Sequence, residues 1–144
     1  MVAAFSGGRV IGAIVLAAGR SERMGRPKPL LPCRGSTFVG TVVATLASTR
    51  VGAVRVVLGH AADGVRIGAR LPDGILVTNP DPDRGMLSSV RCGIESLPWG
   101  VDGFLLWPVD HPLVTPETVD CVIAAFESAQ APVVAMSAVA PLPG

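Results

Sequence analysis

Short apolar runs alternating with helical patterns constrain the fold of this chain more than any other feature. The runs lie at Val10–Leu16, Val54–Leu58, Ile75–Thr78, Phe104–Trp107 and Val133–Met136. Between them, apolar residues recur with helical spacing over Phe38–Ser48, Ala62–Leu71, Ser88–Leu97 and Pro116–Phe126. A strand that is apolar at successive positions buries both its faces, so each run belongs in a sheet covered on both sides. Strands joined by single helices lie parallel, because right-handed crossovers return each strand beside the sheet it left. The expected architecture is therefore α/β: a three-layer sandwich around a mostly parallel sheet, in the order β, α, β, α, β, α, β, α, β. The last helix supports this in detail. Thr115 is placed to cap it, Pro116 suits its first position, and Val119, Val122, Ile123 and Phe126 form one apolar stripe. Pro72-Asp73-Gly74 and Pro98-Trp99-Gly100 read as turns.

Size and charge narrow the function classes. A chain of 144 residues makes one domain, long enough to bury about two-thirds of its unfolded surface. A net charge of +1 provides no broad basic field, so a nucleic acid polymer is not an expected partner. Aromatic residues make up 4% of the chain and tyrosine is absent, which argues against a base-stacking platform. The mean hydropathy of +0.53 comes from short segments, none near the roughly 20 apolar residues of a membrane span, so no membrane is expected. Cys33, Cys92 and Cys121 are odd in number, far apart and without CxxC spacing. They suggest small buried or half-buried hydrophobes in a reducing cytoplasm rather than a disulfide framework or zinc site. The opening MVAAFSGGRV lacks the basic region and apolar core of a secretion signal and reads as a tail.

The first apolar run empties into Leu16-Ala17-Ala18-Gly19-Arg20-Ser21-Glu22-Arg23-Met24-Gly25-Arg26-Pro27-Lys28. Gly19 and Gly25 are expected to supply positive backbone torsions, so that successive N–H groups point at one anion. Lys28 is the only lysine among twelve basic residues, and its compact ammonium suits a phosphate oxygen. Arg23 adds a planar grip on a second phosphate. The spacing matches neither GxxxxGK[ST] nor GxGxxG, so the reading is a polyphosphate loop of another kind.

Loops after strand carboxyl ends share one sheet edge, so residues 19–28, 79–89 and 108–113 should meet at one crevice. Asp110, in WPVDHP between two stiffening prolines, is a carboxylate able to hold Mg2+ together with phosphate oxygens and water. His60 and His111 lack partners at metal-ligand spacing and read as turn residues. Of Ser88 and Ser89, one is expected to cap the helix that follows; the other, with Asn79, is a candidate contact to ribose or base.

LAAGRSERMGRPKPLLP closely resembles the opening signature of the MobA-like nucleotidyltransferases, in particular their molybdenum cofactor cytidylyltransferase (MocA-like) branch. The resemblance continues through VVLGH at 56–60, NPDPDRGMLSSVRCGI at 79–94 and PVDHPLVTPETVD at 108–120, in the family's order. It implies a Rossmann-like fold of the nucleotide-diphospho-sugar transferase type. It implies nucleotide contacts from Leu16, Ala17, Ala18, Gly19, Ser21, Arg23, Lys28, Asn79, Ser88 and Ser89. It also implies catalytic roles for Arg23, Lys28 and Asp110, with Asp110 as the Mg2+ ligand. The nucleotide implied is CTP, since the cytidylyl branch carries LAAG where guanylyl relatives tend to carry LAGG, and the acceptor implied is the phosphate of a molybdopterin cofactor.

The family pattern continues past the fifth strand into a segment rich in Gly with His-Pro or Asn-Pro, and VVAMSAVAPLPG holds no such element. The expectation is thus a single nucleotidyltransferase domain over residues 1–144, shortened at its carboxyl end. Its exposed sheet edge would favour a homo-oligomer. Two enzymatic alternatives stand beside CMP transfer, a guanylyl and a sugar-phosphate nucleotidyltransferase acting on another nucleoside triphosphate. A third is a nucleotide-binding module without turnover, serving as partner of a molybdenum enzyme.

Overall fold

The computed structural model describes residues 9–20, 22–23 and 25–128, with the pair 22–23 described by backbone alone. In chain order the elements are β1 (Ile11–Ala17), the short strands β2 (Glu22–Arg23), β3 (Arg26–Pro27), β4 (Pro32–Cys33) and β5 (Ser36–Thr37), then α1 (Phe38–Ala47), β6 (Ala53–Leu58), α2 (Ala62–Ala69), β7 (Leu76–Thr78), α3 (Met86–Ser96), β8 (Gly103–Pro108) and α4 (Pro116–Ser128). Four strands form one sheet in the order β7-β6-β1-β8, all parallel. β2 with β3, and β4 with β5, make two small antiparallel hairpins. The expected strand at Val133–Met136 lies outside the described residues.

The core explains why β1 is apolar throughout. Ile11, Ala13, Val15 and Ala17 face one layer, where they join Val39, Val42 and Leu46 of α1, Val65 of α2, and Val119 and Ile123 of α4. Gly12 and Ile14 face the other layer, formed by α3. A Cβ on Gly93 would sit 2.5 Å from Ile14 Cγ2, so glycine lets the helix approach the sheet. β8 departs from the expected two-sided burial. Phe104 and Leu106 pair in register with Gly12 and Ile14, so they share the α3 face, yet both are exposed, while Trp107 on the opposite face is buried.

Helix ends follow local chemistry. Thr37 Oγ1 accepts from the Gly40 N–H at 3.0 Å and caps α1; Thr115 Oγ1 accepts from the Thr118 N–H at 3.3 Å and caps α4, as its position suggested. α2 stops at Ala69 because Arg70 takes a left-handed conformation, φ 52°. Ile75 belongs to a 3-10 turn over Asp73–Ile75 rather than to β7. Cys33 and Cys92 are half-buried, but Cys121 is exposed because it lies on the side of α4 away from the buried Val119 and Ile123. The order of strands matters most for function. From β1 the chain crosses to β6 and then β7 on one side, and after α3 it returns to β8 on the other. The strand order thus reverses between the neighbours β1 and β8, and the loops at their carboxyl ends flank a crevice.

Candidate active site

A cavity of about 370 Å³ occupies that crevice. Its walls come from Leu16, Ala17, Ala18, Gly19, Lys28 and Pro29 at the end of β1 and in the loop after it; from Pro82, Gly85, Met86 and Ser89 in the turn before α3 and its first turn; and from Pro108, Val109 and Asp110 at the end of β8. The three loops expected to converge do so. Ser21 and Met24 lie outside the described residues, as does the side chain of Arg23.

Lys28 opens a 3-10 turn, Lys28–Leu30, directly after the β2/β3 hairpin. Its Nζ lies 3.9 Å from Asp110 Oδ2, and His111 Nε2 lies 3.7 Å from Asp110 Oδ1. Both separations exceed hydrogen-bonding distance, so the carboxylate accepts no hydrogen bond from a described residue. The turn that presents it is held firmly: the Val109 N–H donates to Leu16 O at 3.1 Å, and Trp107 Nε1 donates to His111 O at 3.0 Å. Among the described residues no three His, Cys, Asp or Glu side chains cluster as a metal cage. A lone, half-exposed carboxylate with free lone pairs beside a cavity fits a divalent cation shared with phosphate oxygens and water, and does not fit a cation held by protein alone.

The start of α3 differs from expectation. The helix begins at Met86, two residues earlier than its periodicity suggested, and follows Gly85 at φ 93°. No side chain caps it. Ser88 and Ser89 sit within its first turn and neither is the cap residue. Ser88 Oγ donates instead to Gly85 O at 2.7 Å. The Ser88 N–H donates to Gly85 O at 3.1 Å, while the Met86 and Leu87 N–H groups have no hydrogen-bond partner among the described residues, so this uncapped helix start opens on the cavity with the positive end of the helix dipole. Behind it, buried Asn79 donates from Nδ2 to Ser88 Oγ at 2.8 Å and to Ser89 Oγ at 3.0 Å, and its Oδ1 accepts from the Asp81 N–H at 2.9 Å. Asn79 thereby ties β7 to the first turn of α3, and of these three polar residues only Ser89 lines the cavity.

The two loop glycines act differently from one another. Gly25 has φ 75°, as expected of a tight turn. Gly19 does not take a positive torsion; a Cβ there would meet nothing within 4 Å, so its backbone borders open cavity instead. A third glycine supports them. A Cβ on Gly59 would lie 2.5 Å from Ala18 O and 2.9 Å from Ala18 Cα, which makes Gly59 the backstop of the β1 loop.

Sequence reasoning also missed a three-residue cluster on the same sheet edge. Arg20 Nη2 and Nε lie 2.5 and 3.0 Å from Asp83 Oδ1. His60 Nε2 lies 3.0 Å from the same oxygen and 3.1 Å from Arg20 Nε. The hydrogen bond from Arg20, reinforced by the Arg20 charge and the neighbouring His60 imidazole, holds the Asp83 carboxyl below its usual value. His60 is therefore a member of a cluster and not only a space-filling turn residue. The signal was available in the topology, since all three residues follow strands that end at one edge.

Comparison with known proteins agrees with this fold. The model of the MobA-like NTP transferase domain matches residues 13–141. Bifunctional protein GlmU of Brevibacillus brevis is 34% identical over 137 residues, covering 91% of this chain and 28% of that protein. Nicotine blue oxidoreductase of Paenarthrobacter nicotinovorans is 36% identical over 107 residues, covering 74% and 52%. Among solved structures, Rv0371c from Mycobacterium tuberculosis H37Rv is similar with a TM-score of 0.73 and 31% identity, covering 84% and 62%; it has also been solved in complex with manganese. A nucleotidyl transferase from Methanothermobacter has a TM-score of 0.70 and 31% identity, covering 81% and 58%. The chain spans less than two-thirds of the length of each of these proteins. No helix among the described residues is long and apolar enough to cross a membrane. With a parallel sheet, a crevice at its switch point and a family match over most of its length, the chain belongs to the MobA-like NTP transferase domain family.

Proposed function

We propose that the protein is a Mg2+-dependent, cytoplasmic nucleotidyltransferase that moves CMP from CTP to the phosphate of a molybdopterin-type cofactor and releases pyrophosphate. The observation that carries this reading is the approach of Lys28 to Asp110 across one cavity at the switch point of the sheet. In the transfer, an acceptor phosphate oxygen attacks the α-phosphorus. The bond from that phosphorus to the bridging oxygen breaks, and its electron pair leaves with pyrophosphate. An anionic acceptor oxygen needs no general base, so the chain's task is to position the groups and neutralise charge.

Lys28 is the proposed counter-charge to the phosphate oxygens on which negative charge grows, joined by Arg23 from the same loop. The Leu16–Gly19 backbone and Ser21 are proposed to cradle the phosphates, helped by the free N–H groups at the start of α3. Asp110 is the residue that would hold Mg2+, which when bound spreads the phosphate charge and stabilises the leaving group. Ser89 is the proposed contact on the nucleoside side, with Asn79 and Ser88 setting the shape of that wall. Ala18 lines the cavity and is the position at which the cytidylyl and guanylyl signatures differ, which supports CTP.

Pyrophosphate release in the presence of Mg2+ and a molybdopterin acceptor tests this reading. CTP is expected to support release better than GTP, and Lys28→Ala and Asp110→Ala are each expected to abolish it. Release with GTP alone would move the assignment to guanylyl transfer. A folded protein that binds a nucleoside triphosphate yet never releases pyrophosphate would be a binding module instead.

A further inference from the structure

The loop after β1 is fastened on two flanks. On one, Lys28 approaches Asp110; on the other, Arg20 reaches Asp83 in the turn before α3. Gly19, next to Arg20, lines the cavity, and so do Pro82 and Gly85 on either side of the Asp83 turn. The Arg20–Asp83 bridge therefore runs along the cavity rim. Asp83 engages the Nε/Nη2 edge of the guanidinium through one oxygen, while Nη1 has no hydrogen-bond partner among the described residues. His60 sits on that same oxygen and limits the room in which the pair can rearrange. An exposed ion pair contributes little to stability, and Arg20 and Asp83 are 70% and 59% exposed. The fold alone gives weak reason for a cation, a carboxylate and an imidazole from three separate loops to meet here.

We propose that Arg20 is a further ligand of the triphosphate, and that Asp83, backed by His60, is the positioning residue that holds the guanidinium on the rim with Nη1 left to donate to a phosphate oxygen. The inference rests on reading the cavity as a nucleoside triphosphate site. Arginine has a fork of five donors, so it can keep Asp83 on one edge and bind phosphate from the other. Released from Asp83, the same side chain samples many rotamers, and that freedom must be lost again on binding.

The test is calorimetric titration of the full chain with CTP and Mg2+, and separately with CMP, which lacks the β- and γ-phosphates. It compares the unaltered protein with Arg20→Ala, Asp83→Ala, Asp83→Glu and the Arg20→Ala/Asp83→Ala double variant. Arg20→Ala and Asp83→Ala are each expected to weaken CTP by about tenfold, the scale of one charge-assisted hydrogen bond. The double variant should be no weaker than Arg20→Ala, Asp83→Glu should recover part of the loss, CMP affinity should stay unchanged, and the nucleotide-free melting temperature should shift only slightly because the bridge is exposed. Equal or tighter CTP binding by Asp83→Ala would overturn the proposal, as would an equal loss for CMP. If the unaltered protein binds no nucleoside triphosphate, the reading of the cavity itself is wrong; if it binds CTP and Asp83→Ala binds it as well, only the role of Arg20 and Asp83 fails.

Discussion

Gly59→Ala tests whether the β1 loop is positioned from behind. Gly59 follows β6, and its missing side chain leaves room for Ala18. An added Cβ would approach Ala18 O to 2.5 Å, and Ala18 Cα and Cβ to 2.9 Å each, where ordinary contact begins at 3.4 Å. Two of those three atoms are backbone, so rotamer adjustment gives no relief, and the loop must move outward by about 1 Å. Overpacking of this kind costs about 1–3 kcal/mol, and a displacement of about 1 Å at a reacting centre can cost about a hundredfold in rate. Chemical denaturation is expected to show the loss of stability, and titration with CTP and Mg2+ a weakened affinity. Gly59→Ala binding CTP with unaltered affinity and stability would refute the account of Gly59 as the loop's backstop.

The same substitution at Gly64 should act in the opposite direction. A Cβ there meets nothing within 4 Å on helix α2, so Gly64→Ala is expected to stabilise the fold by about 0.5–1 kcal/mol in urea denaturation. At 3.9 Å the Lys28–Asp110 attraction is about 4 kcal/mol at an effective dielectric constant near 20, before solvent screening. With Asp110 almost half exposed, its net worth falls to about 1 kcal/mol or less. Asp110→Ala should therefore leave the melting temperature nearly unchanged while removing stabilisation by CTP with Mg2+; a collapse of the fold would mark Asp110 as structural. Asp83 makes a pH prediction. Its carboxyl is lowered from 3.8 mainly by the hydrogen bond from Arg20, so the stability it contributes is present above 3.8 and is lost as pH falls through the lowered folded-state value. NMR titration of the Asp83 carboxyl should show its midpoint rising in Arg20→Ala, and an unchanged midpoint would remove Arg20 as the cause.

Sequence pattern carried the architecture further than it carried the site. β1, β6 and β8 were legible to within a residue or so, because strands buried beside a central partner are apolar at nearly every position. β8 also shows where that logic ends: Phe104 and Leu106 are as apolar as Trp107, yet only Trp107 is buried. Two-residue hairpins such as Glu22–Arg23 with Arg26–Pro27 are too short to leave a periodic trace. The serines of α3 suggested a cap, but Gly85 turns the chain so that the helix starts before them. Lys28 and Asp110 were legible because each follows a recognisable strand. The Arg20–His60–Asp83 cluster was not, since its members stand 40 and 63 residues apart from Arg20 and only the strand order brings them together.

The central claim is that this crevice binds a metal–nucleoside triphosphate through Lys28 and Asp110, and the most direct measurement is the melting temperature of the chain with CTP or GTP and Mg2+. At about a hundredfold over Kd the ligand should add about 2.7 kcal/mol to the folded state. The account predicts a clear rise with CTP, a smaller one with GTP, and neither in Lys28→Ala or Asp110→Ala. A chain that melts cooperatively at one temperature, whatever the nucleotide, would contradict it.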